Sequence, residues 1–139
     1  RVKELLALWE QSYARYEDVV FDVHFYQCFG MSWKMLTLEK HMQAALDRAT
    51  ILKSLPTCCV SEWALAIPEE SLEGLNEQRR KEFLQRFAAN QLQAYEGATH
   101  GWFFWTWRDG NGVAWSMRDS LAAELLQVPG GGRASTLVA

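Results

Sequence analysis

Apolar residues follow two patterns along this chain, and each pattern predicts a different element. Spacings of three and four predict amphipathic helices. They occur over about residues 2–16, 38–52 and 77–96. Nearly continuous apolar runs of a few residues predict strands that are buried on both faces, as in parallel sheets. They occur at residues 18–24, 58–63 and 101–107.

Polar and turn-forming residues mark where these elements begin and end. Thr37 and Asn76 are suited to cap the second and third helices. A pattern that resembles a capping box, Ser116-x-x-Asp119, predicts the start of a last short helix. Predicted loops occupy residues 30–34 and 68–75, and a flexible tail is predicted at 129–139.

The predicted order is α-β-α-β-α-β-α, with about 40 residues from one strand to the next. Strands joined by helical crossovers pair in parallel, which predicts an α/β fold. Two architectures fit: a small doubly wound sheet, or a section of a (β/α)8 barrel. A sheet of three parallel strands would leave both its edges bare, and this favours a section of a larger barrel.

Composition limits the possible functions. The 139 residues are enough for one domain but too few for a complete barrel, which needs about 250 residues. The net charge of −3 does not suggest nucleic acid or an anionic membrane as a partner, and no apolar run is long enough to span a membrane. The three cysteines do not form a disulfide framework, although one bridge remains possible. Aromatic residues make up 13% of the chain, and they are concentrated between residues 102 and 115.

Polar and aromatic side chains gather where the three predicted strands end. His24 and Tyr26 follow the first strand, Glu62 ends the second, and Trp105 ends the third. In parallel α/β folds such ends share one rim, where active sites lie. A carboxylate, a group that orients it and a flat indole together are typical of a sugar site.

Each of these residues also has a structural interpretation. Taken alone, Glu62 is more often a solvated or salt-bridged carboxylate, and His24 is more often a structural histidine. Asp22 is either a buried polar partner or part of the rim. His41, on a helix, and His100, just before a strand, are expected at the surface.

Three segments, in this order and spacing, resemble glycoside hydrolase family 5, and most of all its exo-β-1,3-glucanase (glucan 1,3-β-glucosidase) branch. They are Asp22-Val-His24-Phe-Tyr26-Gln-Cys-Phe29, Val60-Ser-Glu62-Trp63 and Tyr95-Glu-Gly-Ala-Thr-His-Gly101-Trp-Phe-Phe-Trp105-Thr-Trp107-Arg108. The resemblance implies that they are strands six to eight of a barrel. Residues 1–128 would then be the C-terminal section of a glycosidase domain.

The resemblance also implies a role for each residue at the rim. Glu62 matches the nucleophile of a retaining enzyme, and His24 and Tyr26 match residues that contact the substrate and orient that nucleophile. No metal or organic cofactor is implied. Three further residues match substrate-binding positions: Trp105 under the sugar, Phe29 in the aglycone-side clamp, and Asn111 in the loop after strand eight.

The general acid/base of the family lies after strand four, and nothing upstream of Asp18 provides it. A retaining glycosidase needs two carboxyl groups about 5–5.5 Å apart. We therefore expect the C-terminal part of a β-glucan hydrolase, most readily one with exo action on β-1,3-glucan. Its partners would be a β-glucan or oligosaccharide substrate and the missing N-terminal barrel half of the same protein. The segment alone would be inactive, and its unpaired strands would favour self-association.

Two other hypotheses stay open at this point. The chain could be a non-catalytic carbohydrate-binding or scaffold fragment that uses only the aromatic rim. It could also be a doubly wound domain unrelated to sugars, with Glu62 as a structural carboxylate. The family resemblance implies an extracellular or cell-wall location.

Overall fold

Helices and strands follow the predicted order as far as Tyr95, with two short helices added in the predicted loops. The structure is a computed structural model, and it describes residues 2–12 and 15–128. The helices are α1 (Val2–Ser12), α2 (Met31–Lys34), α3 (Leu38–Lys53), α4 (Glu69–Leu72), α5 (Glu77–Tyr95) and α6 (Met117–Ala122). The strands are β1 (Phe21–Phe25) and β2 (Cys58–Trp63), and a 3-10 turn spans Val113–Trp115.

Within the described residues, β1 and β2 form a two-stranded parallel sheet. Phe21 lies opposite Cys58 and Val23 lies opposite Val60. Helices α2 and α3 make the crossover between the strands, as parallel pairing requires. The predicted mixed α/β class and the parallel pairing are therefore confirmed.

The third predicted strand, at 101–107, forms only in part. Its backbone runs beside β2, where the N–H of Phe103 donates to Val60 O over 2.8 Å and that of Trp105 donates to Trp63 O over 2.8 Å. Only Val60 and Trp102 make a regular parallel bridge. The expectation of a full strand here is wrong, because β2 carries an irregularity after Val60 that interrupts the ladder.

Helices α3 and α5 pack against each other and cover one face of the sheet. Tyr95 of α5 stacks on Phe25 of β1 with ring centroids 5.8 Å apart, and it meets Trp63 of β2 edge-on at 5.2 Å. Phe87 is 1% exposed within the same core. Burial of each such side chain contributes about 1.5–3 kcal/mol to folding.

Side-chain caps form where the sequence predicts them. The amide oxygen of Asn76 accepts from the N–H of Arg79 over 2.9 Å at the start of α5. Thr37 accepts from the N–H of Lys40 over 3.4 Å at the start of α3. Ser116 caps α6 in the same way. These caps satisfy backbone donors that have no partner within their own helix.

Boundaries differ from prediction at three places. Helix α1 spans Val2–Ser12 among the described residues, and residues 15 and 16, which were predicted to be helical, lie outside a helix. Asp18 has a φ of 56°, a left-handed backbone that Asp tolerates better than most residues. The loops predicted at 30–34 and 68–75 contain α2 and α4, each four residues long. The predicted tail at 129–139 lies outside the described residues.

Candidate active site

An extra residue in β2 sets the position of Glu62. After the pair Val23–Val60, the next pair joins His24 to Glu62, so Ser61 is the additional residue. Side chains alternate between faces in a regular strand, which would place Glu62 on the buried face with Val60. The irregularity instead brings Glu62 beside His24 and turns Trp63 into the core, where it is fully buried.

Two side chains lie against the carboxylate of Glu62. The phenol of Tyr26 donates a hydrogen bond to Glu62 Oε2 over 2.8 Å. His24 Nδ1 lies 3.4 Å from the same oxygen. The Glu62 side chain is 27% exposed, so a ligand on the open face of the sheet can reach it. A carboxylate that is both oriented and accessible meets the geometric requirement for a nucleophile.

Asp22 extends this group from the other side of His24. Its Oδ2 lies 3.1 Å from His24 Nε2, and its side chain is 56% exposed on the open face, which makes it part of the rim. Burial alone would raise the pKa of Asp22, but hydrogen bonds from Ser61 and His24 outweigh it and lower that pKa. Asp22 is therefore an ionised acceptor for the imidazole.

The environment of Tyr26 keeps its phenol protonated. Burial raises the pKa of Tyr26, and the hydrogen bond to Glu62 and the charge of that carboxylate raise it further. At neutral pH the phenol therefore stays a donor to Glu62. This is the state in which it can orient the carboxylate and stabilise its negative charge.

Three aromatic rings form a wall next to Glu62. The rings of Tyr26 and Phe29 meet edge-on with centroids 5.2 Å apart. Trp115 lies 5.7 Å from Tyr26 and 5.9 Å from Phe29. Phe29 is 60% exposed, as a side chain that receives a ligand would be. Sequence reasoning did not single out Trp115, and the concentration of Trp between 102 and 115 was the only signal for it.

The backbone N–H of Trp105 donates a hydrogen bond to Trp63 O, and this bond places Trp105 beside the carboxyl end of β2. Its side chain is 48% exposed. Asn111 is exposed in the following turn, where its own N–H donates to Asp109 Oδ1 over 2.6 Å. In the described ranges, no hydrogen bond or ring contact joins Asn111 to the Glu62 group.

The two histidines outside the rim differ in burial. His100 is exposed, as expected. The expectation that His41 lies at the surface is wrong, because its side chain is fully buried. Its ring nitrogens face Gln27 and Ser71, and these hydrogen bonds compensate for the loss of water.

Residues 2–12 and 15–128 contain neither a cluster of metal-ligating side chains nor a helix that could span a membrane. No group of three or more His, Cys, Asp and Glu side chains in these ranges could hold a metal ion. No helix there is both long enough and apolar enough to cross a bilayer. Cys28, Cys58 and Cys59 are free thiols.

The chain is similar to curated proteins named for glucan hydrolysis. It is 31% identical to "Probable glucan 1,3-beta-glucosidase A" of Aspergillus clavatus, over 88% of this chain and 37% of that protein. It is 29% identical to "Glucan 1,3-beta-glucosidase" of Blumeria graminis, over 85% of this chain and 35% of that protein. It is 30% identical to "Probable glucan endo-1,6-beta-glucosidase B" of Aspergillus terreus, over 76% of this chain and 26% of that protein.

The similar region is only part of each of these relatives. The chain spans about a third of the length of the glucan 1,3-beta-glucosidases that it matches. No protein-family model matches it. The aligned regions nevertheless cover most of the chain in each comparison. The resemblance predicted from the strand-end motifs is therefore confirmed, and the chain is glucan 1,3-beta-glucosidase-like over most of its length.

Proposed function

We propose that this chain supplies the nucleophile side of a retaining β-glucan hydrolase, with Glu62 as the nucleophile. The observation that carries the proposal is the 2.8 Å hydrogen bond from Tyr26 to a partly exposed Glu62, with His24 beside the same oxygen. The names of the similar proteins support the reaction class, because each name describes a glucan β-glucosidase.

The proposed reaction is a double displacement. A carboxylate oxygen of Glu62 forms a bond to the anomeric carbon while the glycosidic bond breaks. The leaving oxygen takes the electron pair of that bond and receives a proton from an acid/base carboxyl group supplied by another part of the protein. Water then attacks the same carbon, gives its proton to that acid/base, and releases Glu62. Two inversions retain the configuration of the sugar.

Tyr26 and His24 would act on Glu62 before and after the attack. Both lie against the same carboxylate oxygen, so they restrict the rotation of the carboxylate and fix the direction of its approach. Because its pKa is raised, Tyr26 keeps its proton throughout and stabilises the carboxylate when it leaves. Asp22 would hold the far nitrogen of His24 and so fix the plane of the ring.

The aromatic residues would bind the sugars on either side of the reacting bond. The half-exposed Trp105 is suited to lie under the pyranose that reacts. Phe29, with Tyr26 and Trp115 behind it, would contact the leaving-group side. Asn111 remains a proposed contact from the turn after residue 107. No metal ion or organic cofactor takes part.

The same proposal includes the linkage of the glucan substrate, the rest of the barrel and the location of the protein. Exo action on β-1,3-glucan is the first choice, and the similarity to an endo-1,6-β-glucosidase makes β-1,6-glucan the substrate to test against it. The chain would form strands six to eight of a (β/α)8 barrel completed by an N-terminal half, in an extracellular or cell-wall protein. Without that half, these residues would not turn over glucan and would tend to self-associate, because β1 has a bare edge within the described residues.

The test is Glu62→Gln in the full-length protein that carries this chain, assayed on laminarin. We expect a loss of activity of at least about 10³-fold with retained binding, because the amide keeps the shape but is a poor nucleophile. Glu73→Gln, at an exposed position after α4, is the matched control and should keep full activity. Persistent turnover in the Glu62 variant would overturn the assignment.

The second candidate is a non-catalytic carbohydrate-binding fragment. The ring wall of Tyr26, Phe29 and Trp115 favours it, since stacked aromatic rings alone can hold a sugar. It predicts that the unaltered full-length protein binds glucan reversibly and releases no glucose.

A further inference from the structure

His41 connects the two loops that leave the carboxyl ends of β1 and β2. It projects from α3 and is fully buried. Its Nδ1 lies 2.7 Å from Gln27 Oε1, in the loop that follows β1. Its Nε2 lies 3.2 Å from Ser71 Oγ, in α4, which belongs to the segment that follows β2. One side chain thus joins the segments on both sides of the candidate site.

When the His41 ring is neutral, only one of its two tautomers fits both contacts. Gln27 Oε1 is an acceptor only, so Nδ1 carries the proton and donates it. Nε2 then has a lone pair and accepts from the hydroxyl of Ser71. Trp33 of α2 stacks on the ring with centroids 6.0 Å apart, which restricts its rotation.

Gln27 depends on His41 to a degree that is unusual for a buried amide. The side chain is 1% exposed, and its Nε2 has no hydrogen-bond partner among the described residues. The contact from His41 is therefore the bond that fixes this side chain. Gln27 also directly follows Tyr26, whose phenol holds Glu62. A shift of the Gln27 backbone would move Tyr26 with it.

We propose that His41 is a positioning residue, which acts through Gln27 to hold Tyr26 against the carboxylate of Glu62. The effect on catalysis rests on the function proposed above. The link to Ser71 has a different consequence, because it secures α4 and touches neither Tyr26 nor Glu62. The two nitrogens of one ring therefore have separable roles, and only the bond from Nδ1 acts on the Glu62 group.

A pair of variants in the full-length protein separates the two bonds. His41→Asn places an amide near the position of Nδ1. It keeps a hydrogen-bond donor to Gln27 but loses the hydrogen bond with Ser71. His41→Gln places an amide near the position of Nε2. It keeps the hydrogen bond with Ser71 but loses the one to Gln27. We expect kcat on laminari-oligosaccharides to fall about tenfold in His41→Gln and to stay within about threefold in His41→Asn, with KM little changed in both. Equal losses of kcat in the two variants would overturn the proposal. A loss of kcat that is fully accounted for by a lower melting temperature would overturn it as well.

Amide hydrogen exchange provides a readout that does not depend on activity. In His41→Gln, residues 25–29 should exchange faster while 69–72 are unchanged, and His41→Asn should show the reverse. If the protein hydrolyses no glucan, the proposed function fails, and this exchange pattern still decides whether His41 holds the Tyr26 loop. If glucan is hydrolysed but the pattern is missing, the His41 proposal fails alone.

Gln27→Met covers the case in which neither His41 variant folds. This change keeps the volume of the side chain and removes its acceptor. It should lower kcat by the same factor as His41→Gln, since both remove the same bond. Unchanged kcat in Gln27→Met would overturn the proposal.

Discussion

The two faces of the β1–β2 sheet show how differently one pair of strands can be used. On the covered face, Val60 and Trp63 are fully buried under α3 and α5. On the open face, Asp22, His24 and Glu62 keep between 27% and 56% of their side chains exposed, and His24 lies within 3.4 Å of both carboxylates. The covered face stabilises the fold, and the open face carries groups that can react. The extra residue Ser61 shifts the register of β2, and this shift places Glu62 on the open face.

The largest expected difference between the covered and the open side is in the free energy of unfolding. Phe87→Ala removes a side chain that is 1% exposed on the covered side, and the cavity should lower the free energy of unfolding by about 3–5 kcal/mol. Phe29→Ala removes the same group at a site that is 60% exposed, and it should cost about 1 kcal/mol or less while raising KM. Urea denaturation of the full-length protein measures both values. Similar losses would mean that the two faces do not differ as described.

The next largest expected effect is a loss of kcat when Tyr26 is changed. Tyr26→Phe removes the 2.8 Å hydrogen bond to Glu62 and leaves the ring in the aromatic wall. We expect kcat to fall about 10–100-fold, because the orientation of the nucleophile is lost, while stability changes by about 1 kcal/mol. Steady-state kinetics measures the first change, and Tyr16→Phe, at an exposed position before β1, is the control. A variant with unchanged kcat would remove Tyr26 from the mechanism.

A smaller effect is expected at Asp22, which reaches Glu62 only through His24. Asp22→Asn keeps the size of the side chain but loses the anionic acceptor for His24 Nε2. We expect a loss of about threefold to tenfold in kcat, with unchanged unfolding by urea, since the group is more than half exposed. A loss as large as that of Tyr26→Phe would show that the open face is one tightly coupled unit.

The sequence predicted the covered face more accurately than the open one. The period of the apolar residues and the caps at Thr37 and Asn76 depend on local chemistry, and they place α3 and α5 within a residue or two. The third strand was predicted too long, because an irregularity in β2 interrupts its pairing. No periodicity reveals such an irregularity, since a register shift depends on the neighbouring strand.

The candidate site was predicted from motif resemblance more than from pattern. The structure places His24, Tyr26 and Glu62 together, whereas Trp115 and the buried His41 were missed. His41 lies on a helix whose polar positions are mostly exposed, so only its partners across the fold, Gln27 and Ser71, make burial acceptable. Contacts between residues far apart in sequence are not visible in local spacing.

The smallest effect concerns the pH dependence of stability. Burial lowers the pKa of His41, and the positive charge of Arg48 acts in the same direction, while the nearby backbone of Trp33 partly opposes them. As pH falls below about 6.5, the unfolded chain binds a proton at this residue before the folded one does, so stability decreases. Urea midpoints at pH 7.5 and 5.5 measure the decrease, which should be smaller in His41→Asn. An equal decrease in both proteins would contradict a buried neutral imidazole.

The most direct test of the central claim is covalent trapping of the full-length protein with a 2-deoxy-2-fluoro-glucoside that carries a good leaving group. The fluorine slows both steps, and the good leaving group allows the first, so the glycosyl-enzyme accumulates. We predict a mass increase of one fluoro-glucosyl group, located by peptide mass spectrometry on Glu62. A label on a different carboxylate, or continued hydrolysis of laminarin with Glu62 unlabelled, would contradict the role of Glu62.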